Sequence, residues 1–182
     1  MSASTQQKQE FHPNGIPKFD GAYIDGKEEG KHMRWYPDGQ VLSTENYSKG
    51  YKLGEQEGWY SDGKRWYISR YSEDEEMKEW KEAKVKILTS LNGLQEGWYP
   101  NGQKAYNDNF LAGKRDGLQE GWHLNGQKAY TDNYLAGKKE GLQEGWHPNG
   151  KPAHIENYKN GQKIGQCQAW DEKGKIIENK TY

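Results

Sequence analysis

No disulfide can form within this chain, because cysteine occurs only once, at Cys167. The sequence also offers no C-x-x-C pair of the kind that holds zinc. Charge of one sign is missing: 26 basic side chains stand against 27 acidic ones, a formal net charge of −1. That balance leaves no electrostatic footprint for nucleic acid or an anionic membrane. Apolar residues make up only 31%, and no run of them approaches the length that spans a bilayer. The opening stretch MSASTQQKQE lacks the basic and apolar regions of a signal peptide, so the expected location is the cytoplasm. Signatures of catalysis are absent as well. There is no G-x-S-x-G elbow, P-loop, H-E-x-x-H or Gly-rich strand-to-helix turn. The expectation is a protein that is not an enzyme and needs no cofactor or metal.

So polar a balance is common in disordered chains, but disordered chains are poor in aromatics, and here aromatics reach 13%. Their placement is regular. Turn glycines fall at Gly15, Gly39, Gly63, Gly102, Gly126, Gly150 and Gly174, 24 residues apart except for a 39-residue step from Gly63 to Gly102. Four residues before each stands an aromatic: Phe11, Trp35, Trp59, Trp98, Trp122, Trp146 and Trp170. Eight residues after each stands another: Tyr23, Tyr47, Tyr71, Phe110, Tyr134, Tyr158 and Tyr182. A fixed period of this length is the signature of a repeat array, in which each unit buries surface against its neighbours instead of in a deep core.

Each repeat reads as a hairpin. In GLQEGWYPNGQKAYNDNF, proline presets φ for the first turn position and Asn-Gly accepts the positive φ values that close the turn. A three-residue loop at Pro100-Asn101-Gly102 pairs Tyr99 with Gln103, Trp98 with Lys104 and Glu96 with Tyr106. Trp98, Tyr106 and Phe110 then share one face, with Gly97 opposite Ala105 on the other. A second three-residue loop, in Leu-Ala-Gly-Lys from Leu111, keeps Trp122 on the face of Phe110, whereas a two-residue loop would flip it. The expected product is an all-β, elongated and twisted antiparallel single-sheet meander of seven hairpin repeats. It has about fourteen strands and runs roughly 60 Å at about 4.8 Å per strand.

The long step holds SEDEEMKEWKEAKVKILTSLN. Ser72 with Glu75 matches a capping box, and acids lead while lysines follow, as suits the helix dipole. Met77, Trp80, Ala83, Ile87, Leu88 and Leu91 fall in one stripe about 140° wide. The spacing predicts an inserted α-helix over about 73–89. The chain thus divides into a flexible N-terminus at 1–10, repeats 1–3 at 11–71, the inserted helix and linker at 72–92, and repeats 4–7 at 93–182. The helix has two readings: a cover for one aromatic face of the sheet, or an element that binds a partner.

Elsewhere the residues favour structure over chemistry. His123 and His147 read as half-exposed residues in the slot held by Tyr36, Tyr60 and Tyr99, not as metal ligands. Asp108 and Glu120 read as solubilising charge on an open sheet. The tryptophan ladder reads as the element that stacks repeats, although exposed aromatics could also hold sugars, choline groups or bases. Trp66 and Trp80 lie outside that ladder and are the tryptophans most available to a partner.

The repeat GLQEGWYPNGQKAYNDNFLAGKRDG resembles the variant MORN (membrane occupation and recognition nexus) repeats of bacteria, over residues 11–71 and 93–182. Bacterial proteins built wholly of this variant are similar to antitoxin or immunity proteins encoded beside secreted toxins. The resemblance implies a protein that binds a cognate toxin and occludes its active site, monomeric when free. Alternatives are a MORN-type scaffold or membrane-proximal interaction protein, and a carbohydrate- or choline-binding wall module. Because the regular repeats are nearly interchangeable, specificity is expected in the irregular region, at Trp66, Arg70, Glu76, Glu79 and Trp80.

Overall fold

The computed structural model describes residues 4–73 and 89–182. They fall into two compact units, Met1–Asn92 and Gly93–Tyr182. All their strand pairings are antiparallel, and no helix occurs among the described residues. The first unit runs β1 (Thr5–Phe11), β2 (Pro17–Ile24), β3 (Lys27–Trp35), β4 (Val41–Ser48), β5 (Tyr51–Lys52), β6 (Gly54–Trp59), β7 (Arg65–Glu73) and β8 (Thr89–Leu91). The second runs β9 (Gly93–Trp98), β10 (Lys104–Leu111), β11 (Lys114–Trp122), β12 (Lys128–Leu135), β13 (Lys138–Lys139), β14 (Gly141–Trp146), β15 (Pro152–Lys159), β16 (Gln162–Trp170) and β17 (Ile176–Thr181). Within each unit the strands follow one another as a meander. β5 and β6 are two pieces of a single return strand, broken at Leu53, and β13 and β14 are likewise broken at Glu140.

The hairpin turn at Pro-Asn-Gly forms as its residues require. The Gly102 amide donates to Tyr99 O at 2.8 Å, the Tyr99 amide donates to Gln103 O at 2.8 Å, and Gly102 sits at φ +87°. That is a type I turn closed by a left-handed glycine, spanning three loop residues. Asn101 Oδ1 accepts from the Gln103 amide at 3.0 Å, which fixes the turn from its own side chain.

The other turn differs from expectation. Leu111 pairs directly with Lys114, so the loop is two residues, Ala112-Gly113, at φ +47° and +74°. Two positive φ values in succession make a type I′ turn, whose twist matches that of the strands. Such a loop should flip the next tryptophan, yet it does not, because a bulge supplies a second flip. Trp98 pairs with Lys104, but Gly97 pairs with Tyr106 and Glu96 with Asn107, leaving Ala105 as an extra residue in β10. Tyr106 in turn faces Gly121 across β11, and Tyr130 joins Gly121 to Gly145. Trp98, Trp122 and Trp146 therefore do share one face, while Tyr106 and Phe110 lie on the other. The expected pairs Glu96 with Tyr106 and Gly97 with Ala105 are corrected accordingly.

The tyrosine face is the buried one, and its core is polar. Phe19 and Cys167 are its buried apolar side chains among the described residues, whereas Gln56, Gln95, Gln119 and Gln143 are at most 3% exposed; Ile68, opposite Glu57, is buried on the tryptophan face. Each glutamine fills a gap in the ladder that opens beside a glycine of positive φ. Gln119 Nε2 donates to Asn109 O at 2.8 Å and Gly117 O at 3.2 Å. Gln56 Nε2 reaches Asn46 O, Leu53 O and Gly54 O, and its Oε1 accepts from the Asn46 amide at 2.8 Å. Buried carbonyls that strand pairing cannot satisfy are satisfied by side-chain amides instead. His32 and Cys167 occupy the same slot in other repeats, and His32 Nε2 bonds Ala22 O at 2.8 Å.

The proposed helix lies mostly outside the described residues, but its flanks are strand. Tyr71 pairs with Leu91, Ser72 with Ser90 and Glu73 with Thr89. Leu91 therefore does not belong to a helical stripe, and the Ser72 hydroxyl accepts from Asn92 Nδ2 at 2.7 Å. Local helical patterning near these ends is outweighed by the ladder hydrogen bonds that an adjacent strand supplies. In the regular repeat Ser48 pairs with Tyr51 across a two-residue turn. Between Ser72 and Ser90 there are seventeen residues, fifteen more than between Ser48 and Tyr51.

Two substitutions test this account. Ala112→Asn, which places a residue tolerant of left-handed φ in the type I′ turn, should raise stability by roughly 0.5–1 kcal/mol in urea unfolding. Gly121→Ala should lower it by about 1–3 kcal/mol, because the added Cβ runs into the Tyr130 ring. An unchanged midpoint in the second case would mean the tyrosine does not seat on the glycine.

Candidate functional site

The two faces of the second unit differ in what they leave open. On the tyrosine face, acids pair with cations that lie over the next tyrosine. Arg115 reaches Asp108 at 3.3 Å and lies 5.5 Å from the Tyr134 ring centre. Lys163 reaches Glu156 at 2.6 Å and lies 5.5 Å from the Tyr182 ring. Asp108 is 8% exposed, and burial pushes its carboxyl above the usual range despite Arg115. Tyr130, half-buried and 3.4 Å from Asp108 Oδ1, is pushed up to about 12, first by burial and then by that carboxylate. The reading of Asp108 as solubilising charge is thus corrected. It is an inward acid, and Glu120 stands on the opposite face beside Lys128. This face is occupied by its own partners.

The tryptophan face is built differently. Lys104 bridges to Glu96 at 2.7 Å with its ammonium 4.6 Å from the Trp98 ring centre. Lys128 repeats this, bonded to Glu120 and 4.5 Å from the Trp122 ring. Beyond that the lysine slot turns apolar, with Pro152 opposite Trp146 and Ile176 opposite Trp170. Strand alternation adds leucines to the same face. Leu118 and Leu142, two residues before Glu120 and Glu144, are each 40% exposed, and Leu111 and Leu135, at the turn ends, are 58% and 57% exposed. Apolar side chains thus recur in the open along this face at the repeat period.

The five side chains singled out from sequence do not form a described cluster. Trp66 is 47% exposed and leans on its neighbours, with its ring centre 6.0 Å from Tyr60 and 5.2 Å, edge-on, from Tyr67. Arg70 bridges to Glu55 at 3.1 Å. Both lie on β7. Glu76, Glu79 and Trp80 lie outside the described residues. The leucines were missed, although their spacing carried the signal: Leu111 and Leu135, like Leu118 and Leu142, recur at the repeat period.

His123 and His147 stand in the slot assigned to them. His123 Nε2 bonds Trp146 O at 2.7 Å and His147 Nε2 bonds Trp170 O at 2.8 Å, as Tyr99 OH bonds Trp122 O at 2.7 Å. Each ties a turn to the next repeat. No three His, Cys, Asp or Glu side chains converge as metal ligands among the described residues.

Comparison with known families places part of this pattern. The MORN repeat variant model matches residues 28–49, 91–111 and 139–160. Each of the three segments covers a strand leading into a Pro-x-Gly hairpin, the hairpin itself and the strand that returns from it. No curated protein matches the chain. MORN repeats are in general modules for interaction with proteins or membranes. Over those three segments, the chain is similar to MORN repeat variants.

Proposed function

We propose that this chain is a non-enzymatic interaction protein of the cytoplasm that binds a cognate toxin and neutralises it by covering the toxin's active site. The observation that carries the binding role is the tryptophan face of the second unit. There Leu111, Leu118, Leu135 and Leu142 stand open beside half-buried tryptophans. Support for a toxin as partner comes from the resemblance of the repeat to bacterial variant MORN proteins that act as antitoxins. A rigid sheet suits inhibition by occlusion, since little ordering entropy is lost when it docks. A tight complex would bury on the order of 1,600 Å², with aromatic and apolar anchors at its centre. Trp66 and Arg70 on β7 offer a second, smaller contact that would set partner choice.

Co-expression with the product of an adjacent toxin gene tests the reading. The chain should rescue growth, and the purified pair should associate in titration calorimetry. Leu118→Glu with Leu142→Glu should weaken that association at least a hundredfold while leaving the melting temperature within a few degrees, because both side chains are already solvent-facing. Undiminished binding by that variant, with loss on Trp66→Ala and Arg70→Glu instead, would move the interface to β7. Binding to lipid vesicles or glycans with no toxin bound would overturn the functional class.

A further inference from the structure

β1 and β17, each paired with a single strand among the described residues, depart from the repeat in a coordinated way. On the buried face, first strands carry an amide-type residue and then a small one, as in Gln119 and Gly121 or Gln143 and Gly145. In β1 these two slots hold Lys8 and Glu10, which pair with Gly21 and Phe19 of β2 and bridge to each other at 2.9 Å. Second strands carry an aromatic and then an acid, as in Tyr130 and Asp132 or His154 and Glu156. In β17 these slots hold Glu178 and Lys180, which pair with Ala169 and Cys167 of β16. Among the described residues β1 pairs only with β2, and β17 only with β16.

An open sheet edge is a template for another copy of the same chain. In a repeat array the template is in register by construction, because each second strand already fits the next first strand. The internal pairing states that register: Tyr106 faces Gly121 and Asp108 faces Gln119. Carried over to β17 of one copy beside β1 of a second, the same slots put Glu178 opposite Glu10 and Lys180 opposite Lys8. Both contacts are between like charges, directly cross-strand, on the face that internal repeats bury. Like charges so placed repel, and the low-dielectric position strengthens the effect.

We propose that Lys8, Glu10, Glu178 and Lys180 form a matched charge lock that stops head-to-tail assembly of this protein through its sheet edges. Such heterologous contacts do not close into a ring by default and would otherwise grow as a filament. Each edge alone is merely polar. Only the combination of the two, in the register the repeat dictates, is repulsive.

Charge swapping separates this from a general effect of surface polarity. Lys8→Glu with Glu10→Lys keeps the within-strand ion pair of β1 but turns both cross-copy contacts attractive. This double variant, in the full chain, should show a light-scattering mass that climbs with concentration through multiples of 21.1 kDa. Added salt should reverse the growth. The reciprocal pair, Glu178→Lys with Lys180→Glu, should do the same. All four changes together should return a single-chain mass, as should the unaltered protein. Circular dichroism checks that each variant is folded, and the two doubles provide independent trials should one of them fail to fold. A folded double variant that stays at single-chain mass at all concentrations would overturn the proposal. So would assembly of the quadruple variant to the same extent as the doubles.

Discussion

The structure depends on a parity condition: within each unit, successive repeats must bring their tryptophans back to the same face. A side chain's face is set by counting residues, so any loop or bulge with the wrong count would scatter the aromatics. In the repeat from Trp98 to Trp122, the two-residue turn at Ala112-Gly113 reverses the count, and the extra residue Ala105 reverses it again. Neither feature is tolerable alone. The second irregularity, near Gly117, adds two residues to β11 opposite Asn109 and so leaves the faces unchanged. The glycines follow from the same geometry. Gly121 must lack a side chain because Tyr130 lies across it, and Gly117 must take positive φ for the strand to bend.

Irregular backbone leaves carbonyls without strand partners, and this explains a core made of glutamine. A single sheet buries too little apolar surface to absorb unpaired polar groups. The glutamine side chain brings two N–H donors to the place where the ladder opens. Stability is then distributed along the array as many local hydrogen-bonded contacts between neighbours, each worth about 1 kcal/mol, rather than as one cluster. The Tyr and His side chains that reach from one turn to the next tryptophan carbonyl belong to the same scheme, and so do Asn125 and Asn149. Those two donate to Pro148 O at 2.6 Å and Glu172 O at 2.8 Å.

Much of this was legible in the residues. The 24-residue recurrence identified a repeat array, and Pro-Asn-Gly identified the three-residue loop. Tyr99 with Gln103 and Trp98 with Lys104 pair as read. What was hidden was the bulge, because Ala105 has no feature that marks it as an extra residue, and no local signal distinguishes it from a paired one. The type I′ turn was missed for a related reason. Alanine at φ +47° is a poor choice that the ladder on either side imposes. The leucines of the tryptophan face were overlooked because single exposed leucines mean little, and only their recurrence on one face gives them weight. The helical pattern after Tyr71 illustrates a different limit: propensity spoke for Ser72 and Leu91, but strand pairing had the stronger claim on them.

The place of the insertion has a consequence for how such an array can change. Seventeen residues between Ser72 and Ser90 replace the two between Ser48 and Tyr51, and the pairing beside the turn resumes without a shift. The entropy of closing a loop grows only with the logarithm of its length, so by length alone such an extension costs on the order of 2 kcal/mol. The Pro-Asn-Gly side has no such freedom, since its turns are bonded one to the next. The repeat therefore has a fixed border and a permissive one, and new segments can be grafted onto the permissive border while the sheet keeps its register.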